Sequence, residues 1–145
     1  EADLVLTAKP PQGTTHVVID TPGGIHGWRL KEVILRADKV IVPVMPSLFD
    51  MQATQNFLLQ LVSITQGLPT DVRVIGNRVD ARTISAANLR KFVESLDVQV
   101  LSYLRDTQYY LHMAAHGLSL FDITPSKVAK DLEQWQPICQ WLDQD

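Results

Sequence analysis

Asp20 is the residue of this sequence best placed to do chemistry. Three β-branched apolar residues, Val17, Val18 and Ile19, lead into it, and Thr21-Pro22-Gly23-Gly24 then break any regular structure. The pattern predicts a buried strand over 16–20 that ends at a loop. In open α/β sheets the ligand crevice lies beyond the carboxyl ends of the parallel strands, so a carboxylate at that point faces a site and not the core. Such an acid suits Mg²⁺ held through water beside the phosphates of a nucleotide. Gly23 and Gly24 would let backbone N–H groups approach a terminal phosphate, because no Cβ stands in the way. A second reading of the same residues is purely local: Asp20 caps the turn and the glycines tighten it.

Other reactive side chains form looser constellations. His112 and His116 have the i, i+4 spacing of helical zinc ligands, but Met113, Ala114 and Ala115 between them supply no general base, and no third ligand is near in sequence. His26 follows the glycine pair and reads either as a phosphate contact or as a solvated loop histidine. Arg105, Asp106, Tyr109 and Tyr110 fall together after a predicted strand, as base contacts or as packing. Arg78, Arg82, Arg90 and Lys91 make a basic cluster, with Lys127 and Lys130 further on. Such residues either neutralise nucleic-acid phosphates or form an ordinary solvated face. No Gly-x-Ser-x-Gly turn is present, which leaves a hydrolase with a serine elbow without support.

These residues need elements to position them. Leu30, Val33, Ile34 and Ala37 recur at helical spacing and predict a short helix from about Trp28 to Arg36. Lys39 to Val44 is an apolar run suited to a strand buried on both faces. Ser47, with Asp50 three residues on, fits the N-cap of a long helix through Ile64 that Gly67 closes. A strand over Asp71 to Asn77, a helix over Ser85 to Leu96 and a strand over Val98 to Leu104 follow. Thr107 to His116 reads as a short helix ended by Gly117, and Leu118 to Ile123 as extended or loop. Thr124 as N-cap and Pro125 at the first helical position open a final helix striped by Val128, Leu132, Trp135 and Ile138, with Pro137 kinking or dividing it near its end. The alternation predicts an α/β fold, a doubly wound, mainly parallel sheet with helices on both faces.

A chain of 145 residues, 46% hydrophobic and 20% charged, is long enough for one domain around a single core. Its net charge of -3 gives no case for nucleic-acid binding over the whole surface. Cys139 is the only cysteine, which excludes an internal disulfide and a cysteine-rich zinc or iron–sulfur site within one chain, and fits a reducing cytoplasm. No apolar run reaches the length of a membrane span, and no basic-then-apolar leader opens the sequence.

Three motifs in fixed order carry a family likeness: Val18-Ile19-Asp20-Thr21-Pro22-Gly23-Gly24, then Ala37-Asp38-Lys39-Val40-Ile41-Val42-Pro43-Val44 with Pro46, Ser47 and Asp50 after it, then Gly76-Asn77-Arg78-Val79-Asp80. Together they resemble the ParA family of partition ATPases, within the ParA/MinD class of P-loop proteins. The likeness extends more loosely from Leu104-Arg105-Asp106 through the Gly117 region to the final helix, so it covers nearly the whole chain. It implies a switch in which ATP and Mg²⁺ are sandwiched between the subunits of a homodimer, with slow hydrolysis resetting the state. By the same resemblance Asp20 is the catalytic acid at the attacking water and holds Mg²⁺ through water, while Gly23 and Gly24 sense the γ-phosphate. Asn77 contacts adenine, which its amide can do as donor and acceptor, although a turn or helix cap is the local alternative. Arg78 and Arg105 join it as cofactor-binding positions. The implied partners are DNA bound without sequence preference and a ParB-like stimulator or cargo adaptor. No membrane is implied: Gln140-Trp141-Leu142-Asp143-Gln144-Asp145 ends acidic, unlike the basic amphipathic tail of MinD-like proteins.

One element of the family is absent. A Gly-x-x-x-x-Gly-Lys-Ser/Thr loop wraps the phosphates and sets a lysine on them, and none of the six lysines here follows a glycine. Together with a first residue of Glu1, this leads to the expectation that residues 1–145 form a single ParA-like α/β domain, the carboxyl-terminal portion of a longer ATPase, inactive alone. The alternative, from a different class, is a non-catalytic interaction or dimerisation module that has lost nucleotide hydrolysis.

Overall fold

A computed structural model describes residues 9–144 of the chain. Its β-branched runs pair into a three-stranded sheet, β1 (Lys39–Val44), β2 (Asp71–Val79) and β3 (Val100–Arg105), parallel throughout and ordered β1-β2-β3. Helix α1 (Gly27–Ile34) precedes the sheet, and α2 (Leu48–Thr65) and α3 (Ile84–Glu94) are the crossovers that parallel pairing requires. After β3 come α4 (Tyr109–Ala115), a 3-10 turn (Leu120–Asp122) and the long α5 (Pro125–Leu142).

The period of two along each strand sends alternate side chains to opposite faces. Val40, Val42, Val44 and Val74 pack with Leu30 of α1, Leu58 and Leu61 of α2, and Leu89 and Val93 of α3. Ile41, Ile75 and Leu104 turn the other way, onto Ile138 and Trp135 of α5. Both faces are therefore covered by helices, as the sequence pattern predicts. Each fully buried leucine, such as Leu61 or Leu89, contributes about 1.5–3 kcal/mol by leaving water.

Local chemistry sets the helix ends. The Asp50 N–H donates to Ser47 Oγ at 3.3 Å, the expected cap of α2, and Gly67 sits just past its end at φ +81. Helix α3 starts one residue earlier than the sequence suggests because Thr83 Oγ1 accepts from the Ala86 N–H at 3.1 Å. The 118–123 segment is more ordered than expected. Ser119 and Asp122 cap each other reciprocally around the 3-10 turn.

Two expectations need correction. Residues 16–20 are not a buried strand: they make no ladder with the sheet, and Val17 and Val18 are 63% and 91% exposed. β-branched residues favour the strand conformation, but a strand exists only where a neighbour pairs its backbone, and among the described residues nothing pairs here. Pro137 does not divide α5; the one non-helical residue inside it is Val128 (φ -125, ψ 19). Pro137 and Glu133 are both exposed, so the carbonyl that loses its helical partner four residues back can bond to water. Within the described residues the sheet is an open, all-parallel α/β layer of three strands, the coarse layout that the sequence pattern predicts. Among the described residues no helix is long and apolar enough to cross a membrane.

Gly76 of β2 lies opposite Tyr103 of β3, and a Cβ at Gly76 would overlap the Tyr103 ring. That ring is also held by the Arg90 guanidinium, 5.3 Å from its centre. Gly76→Ala should lower the unfolding free energy by about 1–3 kcal/mol in urea denaturation. Gly23→Ala, whose Cβ meets nothing within 4 Å, should change it by less than about 0.5 kcal/mol.

Candidate functional site

Because all three strands run the same way, their carboxyl ends form one edge, reached at Val44, Val79 and Arg105. The β2–β3 ladder breaks between Gly76 and Val79, leaving Asn77 and Arg78 on an irregularity of the kind that re-aims side chains at sheet rims. Arg78 takes φ +53, the only positive value at a non-glycine residue among the described residues. For an L residue that conformation costs about 1–2 kcal/mol. Its Nε donates to Asp106 Oδ1 at 3.3 Å across the top of β3, with both side chains more than half exposed, so the pair contributes little stability.

The next turn is closed by charge. Arg82 donates to Asp80 through its backbone N–H at 3.1 Å and through Nε and Nη2 at 2.9 Å each. These bonds, led by the guanidinium contacts, hold the exposed Asp80 carboxyl at about 2. Thr83 Oγ1 donates to the Asp80 carbonyl at 2.8 Å, which joins this turn to the cap of α3. Arg78, Arg82 and Arg90 of the basic cluster are thus each engaged with a neighbour, two with carboxylates and one with a ring.

Arg105 is occupied more fully. Its Nε and Nη2 donate to the two oxygens of Asp131 at 2.6 and 2.7 Å, and its backbone N–H donates to Gln134 Oε1 at 2.9 Å. Asp131 has no solvent exposure, and its hydrogen bonds raise the Arg105 pKa further. The structure therefore places this residue in a tie between β3 and α5. Beside it, Trp135 Nε1 donates to the Tyr110 hydroxyl at 3.0 Å, and burial pushes the Tyr110 pKa up. Tyr110 serves packing, while Tyr109 is exposed.

Asp20, Gly23 and Gly24 lie on the exposed loop that enters α1. The Ile25 N–H closes the turn onto the Pro22 carbonyl at 3.3 Å, Gly24 takes φ +74, and Ile25 packs on the core. His26 Nδ1 lies 2.7 Å from the Gly24 carbonyl, so its ring is turned back onto its own loop. The Asp20 carboxylate makes no hydrogen bond or ion pair within the described residues, and a Cβ at Gly23 or Gly24 would meet nothing within 4 Å. An open carboxylate beside open glycine amides fits the way Mg²⁺ is bound with a nucleotide, through one or two carboxylates, waters and the phosphates themselves. It does not fit an all-protein metal cage: no group of three or more His, Cys, Asp or Glu side chains suited to a metal occurs among the described residues. His112 and His116 do not form one either, since His116 Nδ1 lies 2.7 Å from the His112 carbonyl.

Sequence reasoning missed Asp131 and Gln134. A signal was present: Asp131 sits three residues after Val128 and four before Trp135, on the apolar stripe of its helix, where an acid survives only with a partner. No family model matches this chain, and no curated protein or solved structure matches it either.

Backbone strain at Arg78 gives a direct test. Arg78→Gly should raise the unfolding free energy by up to about 1 kcal/mol, because glycine adopts φ +53 freely, and Arg78→Val should lower it by a similar amount. The reverse order in thermal or urea unfolding would show that the strain is not there.

Proposed function

We propose that this chain is the carboxyl-terminal portion of a ParA-like ATPase, a nucleotide-dependent switch that positions or segregates plasmid, chromosomal or other cargo. The observation that carries the proposal is the loop from Asp20 to Gly24, where a carboxylate without a partner among the described residues stands beside two glycines with open space around them. The strained Asn77–Arg78 step at the carboxyl edge of an all-parallel sheet supports it, since ligands of such sheets collect at that edge.

In this proposal Mg²⁺ and ATP supply the charge neutralisation and the phosphoryl group. The residues of the chain do the rest. Asp20 holds the metal through water and orients the attacking water, Gly23 and Gly24 present amides to the γ-phosphate, and the Asn77 amide reads the adenine edge. Arg78 stands beside the base, and Arg105 acts through the wall it builds with Asp131. The whole protein would complete a doubly wound sheet, close as a homodimer on ATP, bind DNA phosphates without sequence preference and answer to a ParB-like stimulator or cargo adaptor. A phosphate-wrapping loop with its lysine has to come from outside these 145 residues, because no glycine here precedes a lysine. The last point also favours the second reading, an interaction module without hydrolysis.

Calorimetric titration of Mg²⁺–ATP into the 145-residue chain and into a version extended through its own upstream coding sequence separates the readings. Only the extended chain should bind. In it Asp20→Ala should abolish hydrolysis, and Asn77→Ala should weaken binding about tenfold, the value of one well-made hydrogen bond. Tight binding by the short chain would overturn the claim that the phosphate-binding part is missing. Failure of both chains to bind would leave the interaction module as the better account.

A further inference from the structure

Leu142 ends α5, and the last carbonyls of a helix have no partner within it. Two side chains from distant parts of the chain take up the Leu142 carbonyl. Lys39 Nζ, at the start of β1, donates to it at 3.0 Å and also bonds the Gln144 carbonyl, with the ammonium 5.6 Å from the centre of the Trp141 ring. His16 Nε2 lies 3.3 Å from the same Leu142 oxygen. A carbonyl oxygen only accepts, so Nε2 is the nitrogen that carries the proton. In the neutral ring Nδ1 then accepts from the Thr15 hydroxyl, 3.1 Å away, and the Asp143 carboxylate stands 3.7 Å from Nε2.

The contact matters because of what it holds. Among the described residues, the stretch 9–24 reaches the sheet or α5 by a polar contact at His16 alone. The other hydrogen bonds of the stretch are local, from Thr14 to the Pro11 carbonyl and from the Ile25 N–H to the Pro22 carbonyl. Ile19 is its one residue that is not exposed, and just past its end Ile25 packs on the core. The eight residues 17–24, which include Asp20, Gly23 and Gly24, thus hang between an apolar anchor at Ile25 and a polar one at His16. A loop holds a reactive group in place only as well as the rigid elements that anchor it.

We propose that His16 is a positioning residue, a latch whose Nε2–H fastens the Asp20–Gly24 loop to the last turn of α5. With the latch closed, the carboxylate and the glycine amides keep one place relative to α5. With it open, Ile25 alone limits them. One hydrogen bond of this kind changes the ratio of closed to open loop by about two- to tenfold. The bearing of the latch on nucleotide rests on the ATPase reading, whereas the latch itself needs no ligand.

The test is NMR relaxation of the backbone amide nitrogens in the 145-residue chain without nucleotide, with His16 kept or replaced in three ways. Glutamine extends as far as Nε2 and carries an N–H there, asparagine extends only as far as Nδ1, and alanine reaches neither. In the unaltered chain the order parameters of Val17, Val18 and Asp20 should lie near the rigid-backbone value of about 0.85. His16→Ala and His16→Asn should lower them below about 0.6 and leave Val74 and Ile75 of β2 unchanged, while His16→Gln should keep all of them high. The proposal is overturned if the stretch is already below about 0.6 in the unaltered chain, or if it stays rigid in His16→Ala. It is equally overturned if glutamine serves no better than asparagine, or if Val74 and Ile75 loosen as well, since His16 would then support the core and not the loop. No reading here involves nucleotide, so failure of the latch and failure of the ATPase reading are separate results.

Discussion

The contact between Asp131 and Arg105 is the constraint on which the rest of the structure depends. Asp131 is the one charged residue without solvent exposure among the described residues, and both its oxygens are taken by the guanidinium at the end of β3. A parallel sheet must be covered on both faces, and α5 is what covers Ile41, Ile75 and Leu104. Its other end is held at the opposite edge of the sheet, where Trp141 Nε1 donates to Asp71 Oδ2 at 2.7 Å. Arg73 donates to the same Asp71 oxygen at 3.0 and 3.1 Å, so the carboxylate is shared between strand and helix. One helix is thereby fastened to the carboxyl edge near its start and to the amino edge near its end.

The two fastenings shape both edges of the sheet. At the carboxyl edge, the Arg105–Asp131 tie fixes the end of β3, against which the irregular Asn77–Arg78 step and the Arg78–Asp106 contact are set. At the amino edge, the last turn of α5 brings the Leu142 carbonyl between Lys39 and His16 and so aligns β1 with the 15–21 segment. The Lys39 and His16 contacts at one end and the strained step at the other both sit beside the points where α5 is tied. The charge pattern is consistent with this economy: the cations of the basic cluster that have partners are used to close turns and hold strand ends.

Much of the scaffold was legible in the sequence because its causes are local. The apolar run Lys39–Val44, the Ser47 cap and Gly67 past the end of α2 each act within a few residues, and each appears where its pattern predicts. The Val17-Val18-Ile19 run was misread because propensity reports a compatible conformation, while pairing is decided by what lies beside the chain in space. The Arg105–Asp131 pair is not legible for a similar reason: the two residues are 26 positions apart, and nothing beside either in sequence announces the pair. The break in α5 falls at Val128, which is buried in a cluster with Met113 and Leu120, and not at the exposed Pro137. At the candidate site, the loop from Asp20 to Gly24 was recognisable from residue types alone, and the backbone strain at Arg78 was not.

The measurement that tests this organisation most directly is a double-mutant cycle on Arg105 and Asp131, read as unfolding free energy. Arg105→Ala should cost about 3–5 kcal/mol by leaving a buried carboxylate unpaired, and Asp131→Ala should also be clearly destabilising. The double variant should cost well under the sum of the two, with a coupling of at least about 2 kcal/mol. Additive losses of about 1 kcal/mol or less from each change would contradict the claim that this ion pair fastens α5 to the sheet.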